Sequence, residues 1–128
     1  MSGAMGFAFV AAGGAAGACA RYAIALVLLD PASRFPYATL LANLCGALLA
    51  GFLISFLLSR GLASTPFYLL LITGFLGSFT TLSAFSVETI RLLQNGDTVL
   101  AIVNVFLTLV GALLAVLAGG WLASRMFA

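Results

Sequence analysis

Two amides and a run of hydroxyls stand inside segments that are otherwise almost wholly apolar. Thr39 and Asn43 lie four residues apart, and Asn104 and Thr108 repeat that spacing. On helices each pair therefore shares one face, and Gly111 continues the second. An amide NH2 and a hydroxyl are donors without formal charge. A track lined by them suits an anion that must shed water without being trapped by a fixed cation. Between the pairs runs Thr73-Gly74-Phe75-Leu76-Gly77-Ser78-Phe79-Thr80-Thr81-Leu82-Ser83-Ala84-Phe85-Ser86. Glycines and hydroxyl residues here interrupt a helix, and carbonyls and amides released from a helical ladder can coordinate an ion. Phe75, Phe79 and Phe85 flank the interruption, and a phenyl ring presented edge-on offers its positive rim to a small anion. The plainer reading is that the polar groups bridge helices, at about 0.6 kcal/mol each, and that the rings pack.

The remaining chemistry-bearing residues are few. Glu88 is the one carboxylate clearly inside an apolar segment, and Arg91 three residues on can meet it on the same helical face. Arg21, deep in the first apolar segment, needs a partner or an aqueous vestibule. A proton-coupled exporter would need a buried carboxylate to bind proton and substrate in turn, and Glu88 beside Arg91 reads as a structural pair member instead. Cys19 and Cys45 fall in apolar segments with no His in the chain to complete a metal set, so they read as packing residues. No nucleophile, general-base or metal-ligand constellation is visible, which argues against an enzyme.

These side chains must be positioned by membrane-spanning helices. The 128 residues are 64% hydrophobic and only 6% charged, and apolar runs of about 20 residues match the length a helix needs to cross hydrocarbon. The sequence predicts an all-α integral membrane domain over 1–128, with spans at 5–28, 37–59, 66–93 and 98–124. Pro and Asn-Gly punctuation separates them. The third span is too long for one straight crossing and predicts two shorter helices joined near Gly77 to Thr80. The first segment lacks the positively charged start of a cleavable leader and runs apolar past its usual length. Small residues recur at helical spacing, as Gly13 and Gly17, Ala47 and Gly51, and Gly111, Ala115 and Gly119; such stripes let helix backbones approach closely. Four crossings put Arg60 and Arg125 on one side and Arg34 and Arg91 on the other, with Arg21 inside the first span. Orientation follows the Lys/Arg asymmetry between sides, which here is close to nil. Copies inserted both ways can pair about an axis in the membrane plane, recreating the inverted repeats of many transporters.

The chain resembles the Fluc (CrcB) fluoride channels over nearly its whole length. The resemblance rests on Gly13-Gly14-Ala15-Ala16-Gly17-Ala18 leading to Arg21, on Pro36-Tyr37-Ala38-Thr39-Leu40-Leu41-Ala42-Asn43-Leu44-Cys45-Gly46, on Thr73 to Glu88, and on Asn104 to Gly111. The third piece is the most specific, the family pattern reading close to T-G-F-x-G-G-x-T-T-F-S-T-F-S-x-E. It implies an antiparallel, dual-topology homodimer in the inner membrane of a bacterium, passively conducting fluoride out of the cytoplasm and so reducing its toxicity. It also implies two pores lined by both subunits, and a structural sodium ion at the dimer centre held by backbone carbonyls that fall at Gly77 and Thr80.

The expected fluoride pathway is then Thr39, Asn43, Phe79, Ser83, Phe85, Asn104 and Thr108, with Arg21 and Glu88 structural and with no nucleic-acid partner. The chain departs from the family pattern at Leu82 (Phe), Ala84 (Thr), Ser78 (Gly) and Ala112 (commonly Ser). Leucine has neither a positive ring edge nor a donor. Either Phe79 or Phe75 compensates, or the pore uses fewer contacts, or the chain is one half of a hetero-oligomer. Two other readings stand beside the channel: an exporter resembling the small multidrug resistance transporters, which use a carboxylate in the first helix where this chain has none, and a non-transporting accessory membrane subunit.

Overall fold

The structure, a computed structural model, describes residues 3–28 and 30–127, and these are helical apart from short connections. Helix α1 is Gly3–Val27 and α2 is Tyr37–Ser59. The third span begins as α3, Pro66–Tyr68, with a proline at its first position where no amide is needed. It widens to a π-helix over Leu69–Leu76 and closes with the single turn α4, Gly77–Phe79. After the break come α5, Leu82–Gln94, and α6, Thr98–Phe127. Among the described residues four helical spans are long and apolar enough to cross a membrane, the third being Pro66–Gln94.

The third span explains its own interruption. As a straight α-helix its 29 residues would reach about 43 Å at 1.5 Å per residue, well beyond a hydrocarbon core of about 30 Å. The excess is absorbed by the break, which falls at Thr80 and Thr81, at the C-terminal limit of the expected junction. Thr80 has φ −84° and ψ 155°, and Thr81 has φ −151° and ψ 119°, so both are extended. The π-helix just before it, with its i→i+5 pattern, is itself an uncommon element that clusters near functional sites.

Two glycine seams assemble the bundle. A Cβ at Gly13 or Gly17 of α1 would overlap the carbonyl oxygens of Leu70 and Phe75 on the π-helix. On the other side, a Cβ at Gly51 of α2 would overlap the Val116 carbonyl of α6, and one at Gly119 that of Leu48. Backbones thus touch along α1 and the π-helix and along α2 and α6, as the small-residue stripes predict. Gly61 and Gly96 close the turns after α2 and α5 with φ of +67° and +82°, the left-handed region that glycine enters freely. The outward faces are apolar: Phe7, Val27, Leu113 and Leu117 are among the large exposed side chains. In lipid that exposure carries no penalty, whereas Asn104 and Thr108 turn inward.

Candidate functional site

An extended break at membrane depth leaves backbone groups without helical partners, and each must find one inside the protein. Three side chains from three elements meet this need. Asn43 of α2 donates from Nδ2 to the Thr81 carbonyl at 3.1 Å and accepts the Thr81 N–H on Oδ1 at 2.8 Å. Its amide thereby pairs with Thr81 as a second peptide strand would. Arg21 of α1 donates from Nε to the Ser78 carbonyl at 3.1 Å. Thr81 accepts the Ala84 N–H on Oγ1 at 3.2 Å, the N-cap of α5.

These bonds have a consequence for the two carbonyls expected to hold a cation. In an unbroken helix the Gly77 carbonyl would accept from Thr81 N–H, and the Thr80 carbonyl from Ala84 N–H. Both donors are diverted, the first to Asn43 and the second to the Thr81 hydroxyl. The Thr80 hydroxyl donates back to the Leu76 carbonyl at 2.9 Å. Gly77 and Thr80 both line an open groove of about 700 Å³ between α2, the third span and α6.

That groove gathers five of the expected site residues: Asn43, Gly77, Thr80, Phe85 and Thr108. Phe85 is buried in its wall. Thr108 is only 7% exposed, and its hydroxyl oxygen is buried without a hydrogen-bond partner behind the groove wall. Leu82 also lines it, 73% exposed.

The other expected residues lie elsewhere. Asn104 is fully buried and donates from Nδ2 to the Thr89 hydroxyl at 3.0 Å, tying α6 to α5. Thr89 donates in turn to the Phe85 carbonyl at 2.7 Å. Phe79 is buried with its ring stacked on Phe75, centroids 5.5 Å apart and 13° from parallel. Ser83 lies on the exposed side of α5, its hydroxyl 3.1 Å from that of Thr81.

Thr39 and Arg21 share a smaller recess of about 320 Å³ with Glu88 and Ala84. Here one expectation is revised. Glu88 is not ion-paired with Arg91; it accepts a 2.8 Å hydrogen bond from the Thr39 hydroxyl, and its Oε2 is buried without a partner. The ion pair among the described residues is Arg34 with Asp97, at 3.1 Å. Thr39 and Asn43 do share one face of α2, and both use it to hold the third span.

Two residues passed over in the sequence carry much of this arrangement. Thr81 is both partner of Asn43 and cap of α5, and a Thr immediately before an apolar helical run is a readable start signal. Thr89 links Asn104 to Phe85, which no local spacing reveals.

Comparison with known proteins bears on the same segments. Residues 8–120 match the family model described as CrcB-like protein, Camphor Resistance (CrcB). A Clostridium perfringens protein named fluoride-specific ion channel FluC is 44% identical over 119 residues, covering 92% of this chain and 93% of that protein. A Symbiobacterium thermophilum protein named fluoride-specific ion channel FluC 2 is 46% identical, covering 91% and 95%. One from Rhizobium meliloti, also named fluoride-specific ion channel FluC, is 41% identical, covering 86% and 89%.

Proposed function

This chain belongs to the CrcB-like protein family, and from that membership we propose that it is a fluoride-specific ion channel. It is a multi-pass protein of the bacterial plasma membrane that lets fluoride leave the cytoplasm passively. The observation that carries the reading is the clamped break: an extended Thr80-Thr81 segment, held by Asn43, faces a groove that Gly77, Phe85 and Thr108 also line. Uncharged donors suit a strongly hydrated anion that must enter and leave quickly. Glu88 is engaged by Thr39, which favours a channel over a carboxylate-coupled exporter. In liposomes, fluoride efflux is expected with no imposed proton gradient. Efflux that required such a gradient, or none above empty liposomes, would refute the reading.

The working unit is an antiparallel homodimer centred on the break, with a structural sodium ion on its axis. The residues fit such an ion, because the Gly77 and Thr80 carbonyls have lost their helical donors and line an open groove. The two carbonyls of one chain are too few to replace a hydration shell, and a second copy doubles them. The ion would supply fixed positive charge and tie the two breaks together. Its binding would depend on chain geometry more than on side-chain chemistry. Phe85 continues the pathway within this groove, whereas Phe79, Ser83, Asn104 and Thr39 lie outside it in one chain and would join the pathway only where a second copy extends it. The balanced arginines predict both orientations in the cell, so a tag at one terminus should be labelled from both sides of the membrane. Labelling from a single side, with full activity retained, would count against the antiparallel pair.

A further inference from the structure

At the end of the bundle that carries Arg60 and Arg125, the cleft between α2 and α6 has features that the conduction pathway does not use. Arg60 follows the last turn of α2, and its guanidinium carbon lies 5.7 Å from the ring centroids of both Phe56 and Phe127. Arg125 sits in the last turn of α6, 5.5 Å from the Trp121 ring. Each guanidinium is therefore steadied on aromatic faces, yet among the described residues neither has a carboxylate within 4.0 Å. Two recesses of about 370 and 290 Å³ lie along the cleft and adjoin at Ser55 and Gly120, which line both. The larger is walled by apolar Val116 and Leu117, the smaller by Ser59 and Ser124. The Ser59 and Ser124 hydroxyls donate to their own helices, at the Phe56 and Trp121 carbonyls. Among the described residues the Ser55 side chain makes no hydrogen bond, and a Cβ at Gly120 would lie 3.2 Å from the Ser55 Oγ, so a side chain there would crowd the junction.

The two recesses thus combine apolar walls with serines, and each arginine stacks on a ring that lines one of them, Arg60 on Phe127 and Arg125 on Trp121. We propose that the cleft is a binding site for an anionic phospholipid, with an acyl chain along Val116 and Leu117 and the phosphate between Arg60 and Arg125. Charge complementarity selects the headgroup. The apolar walls select a molecule with a tail, and Trp121, 61% exposed, is of the type enriched at headgroup level. Two cations near an anionic lipid favour it over a neutral one on the order of thirtyfold. Of the residues named for this site, Val116 also lines the groove at the break, while Arg60, Arg125 and Gly120 do not.

The test is native mass spectrometry of the full-length protein in detergent, titrated with phosphatidylglycerol and with phosphatidylcholine. Wild type is expected to retain phosphatidylglycerol in preference, and the preference should shrink as salt is raised. The Arg60→Gln/Arg125→Gln variant should lose the preference, while Arg60→Lys/Arg125→Lys keeps it. Gly120→Leu, which fills the groove and spares both arginines, should bind neither lipid. Equal retention of the two lipids by wild type, a preference insensitive to salt, loss of preference in the lysine variant, or unaltered binding by Gly120→Leu would each overturn the proposal. Displacement of the lipid by millimolar inorganic phosphate would also overturn it, by identifying a free anion as the occupant. Fluoride flux is a separate readout, so failure of the lipid site leaves the channel reading untouched.

Discussion

Asn43→Ala is expected to abolish fluoride conduction and, in the same protein, to lower thermal stability in detergent. Both effects come from one pair of bonds, Nδ2 to the Thr81 carbonyl at 3.1 Å and the Thr81 N–H to Oδ1 at 2.8 Å. Removing the amide leaves an N–H and a carbonyl unpaired in a part-buried segment, at about 1–3 kcal/mol for each. The sum, about 2–6 kcal/mol, is large against the stability of a small domain. With its clamp gone, the Thr81 N–H is released to seek the Gly77 carbonyl, closing the break towards a continuous helix. Asn43→Asp separates the two bonds. It keeps an acceptor for the Thr81 N–H, loses the donor to the carbonyl, and sets a negative charge in an anion's path. Its stability should fall less than that of the alanine variant while its flux is equally lost. If Asn43→Ala lost flux with an unchanged melting temperature, the amide would be a donor to the anion alone and the clamp would be incidental.

The distinction bears on how much of the site could be read from the sequence. Four spans and a broken third helix were legible, because both rest on composition and length: apolar runs of spanning length, and one run too long to cross straight. The glycine seams were legible for a related reason, since Gly13 and Gly17, and Gly119 on α6, sit at spacings that only close backbone contact rewards. Roles of polar residues were less accessible. Thr39 and Asn43 read as free donors on one face, yet each is already bonded to the third span, 49 and 38 residues away in sequence. Glu88 near Arg91 suggested a helical ion pair, a local inference that a hydroxyl on another helix overrides. Asn104 finds Thr89 across the bundle in the same way. A buried polar group must be satisfied, but spacing along one helix cannot say by which partner.

Leu82 shows the same limit from the other direction. The sequence marks it as a departure from the family pattern, and the fold leaves it 73% exposed on the rim of the groove. The stacked pair Phe75 and Phe79 turns ring faces to each other and is buried within one chain. Of the three phenylalanines around the break, Phe85 is the one whose ring lines the groove. Whatever aromatic edge the anion meets in that groove must come from Phe85 or from a second copy.

That second copy is what the Gly77→Val variant isolates, and the expected result is complete loss of flux from a protomer that still folds. A Cβ at Gly77 would meet only the Ile72 carbonyl oxygen, at 3.9 Å, so one chain has room for a β-carbon at this position. Helix propensity adds no cost, since valine ranks above the glycine it replaces. Gly46 provides the contrast, since a Cβ there would overlap the Thr80 methyl and approach the Phe79 ring at 3.2 Å, a defect inside one chain. Gly46→Val should therefore fail to accumulate as folded protein. Gly77→Val should accumulate but run as a monomer with no sodium-dependent assembly, because the proposed twofold axis would place the added bulk of both copies at one point. Thr80→Ser should conduct nearly as wild type: its carbonyl is unchanged, and serine keeps the hydroxyl that donates to the Leu76 carbonyl. Size-exclusion chromatography with and without sodium, alongside liposome flux, separates these outcomes. Were Gly77→Val to conduct normally with unchanged sodium dependence, the open carbonyls at the break would be a feature of ordinary packing, and neither ion nor partner would sit there.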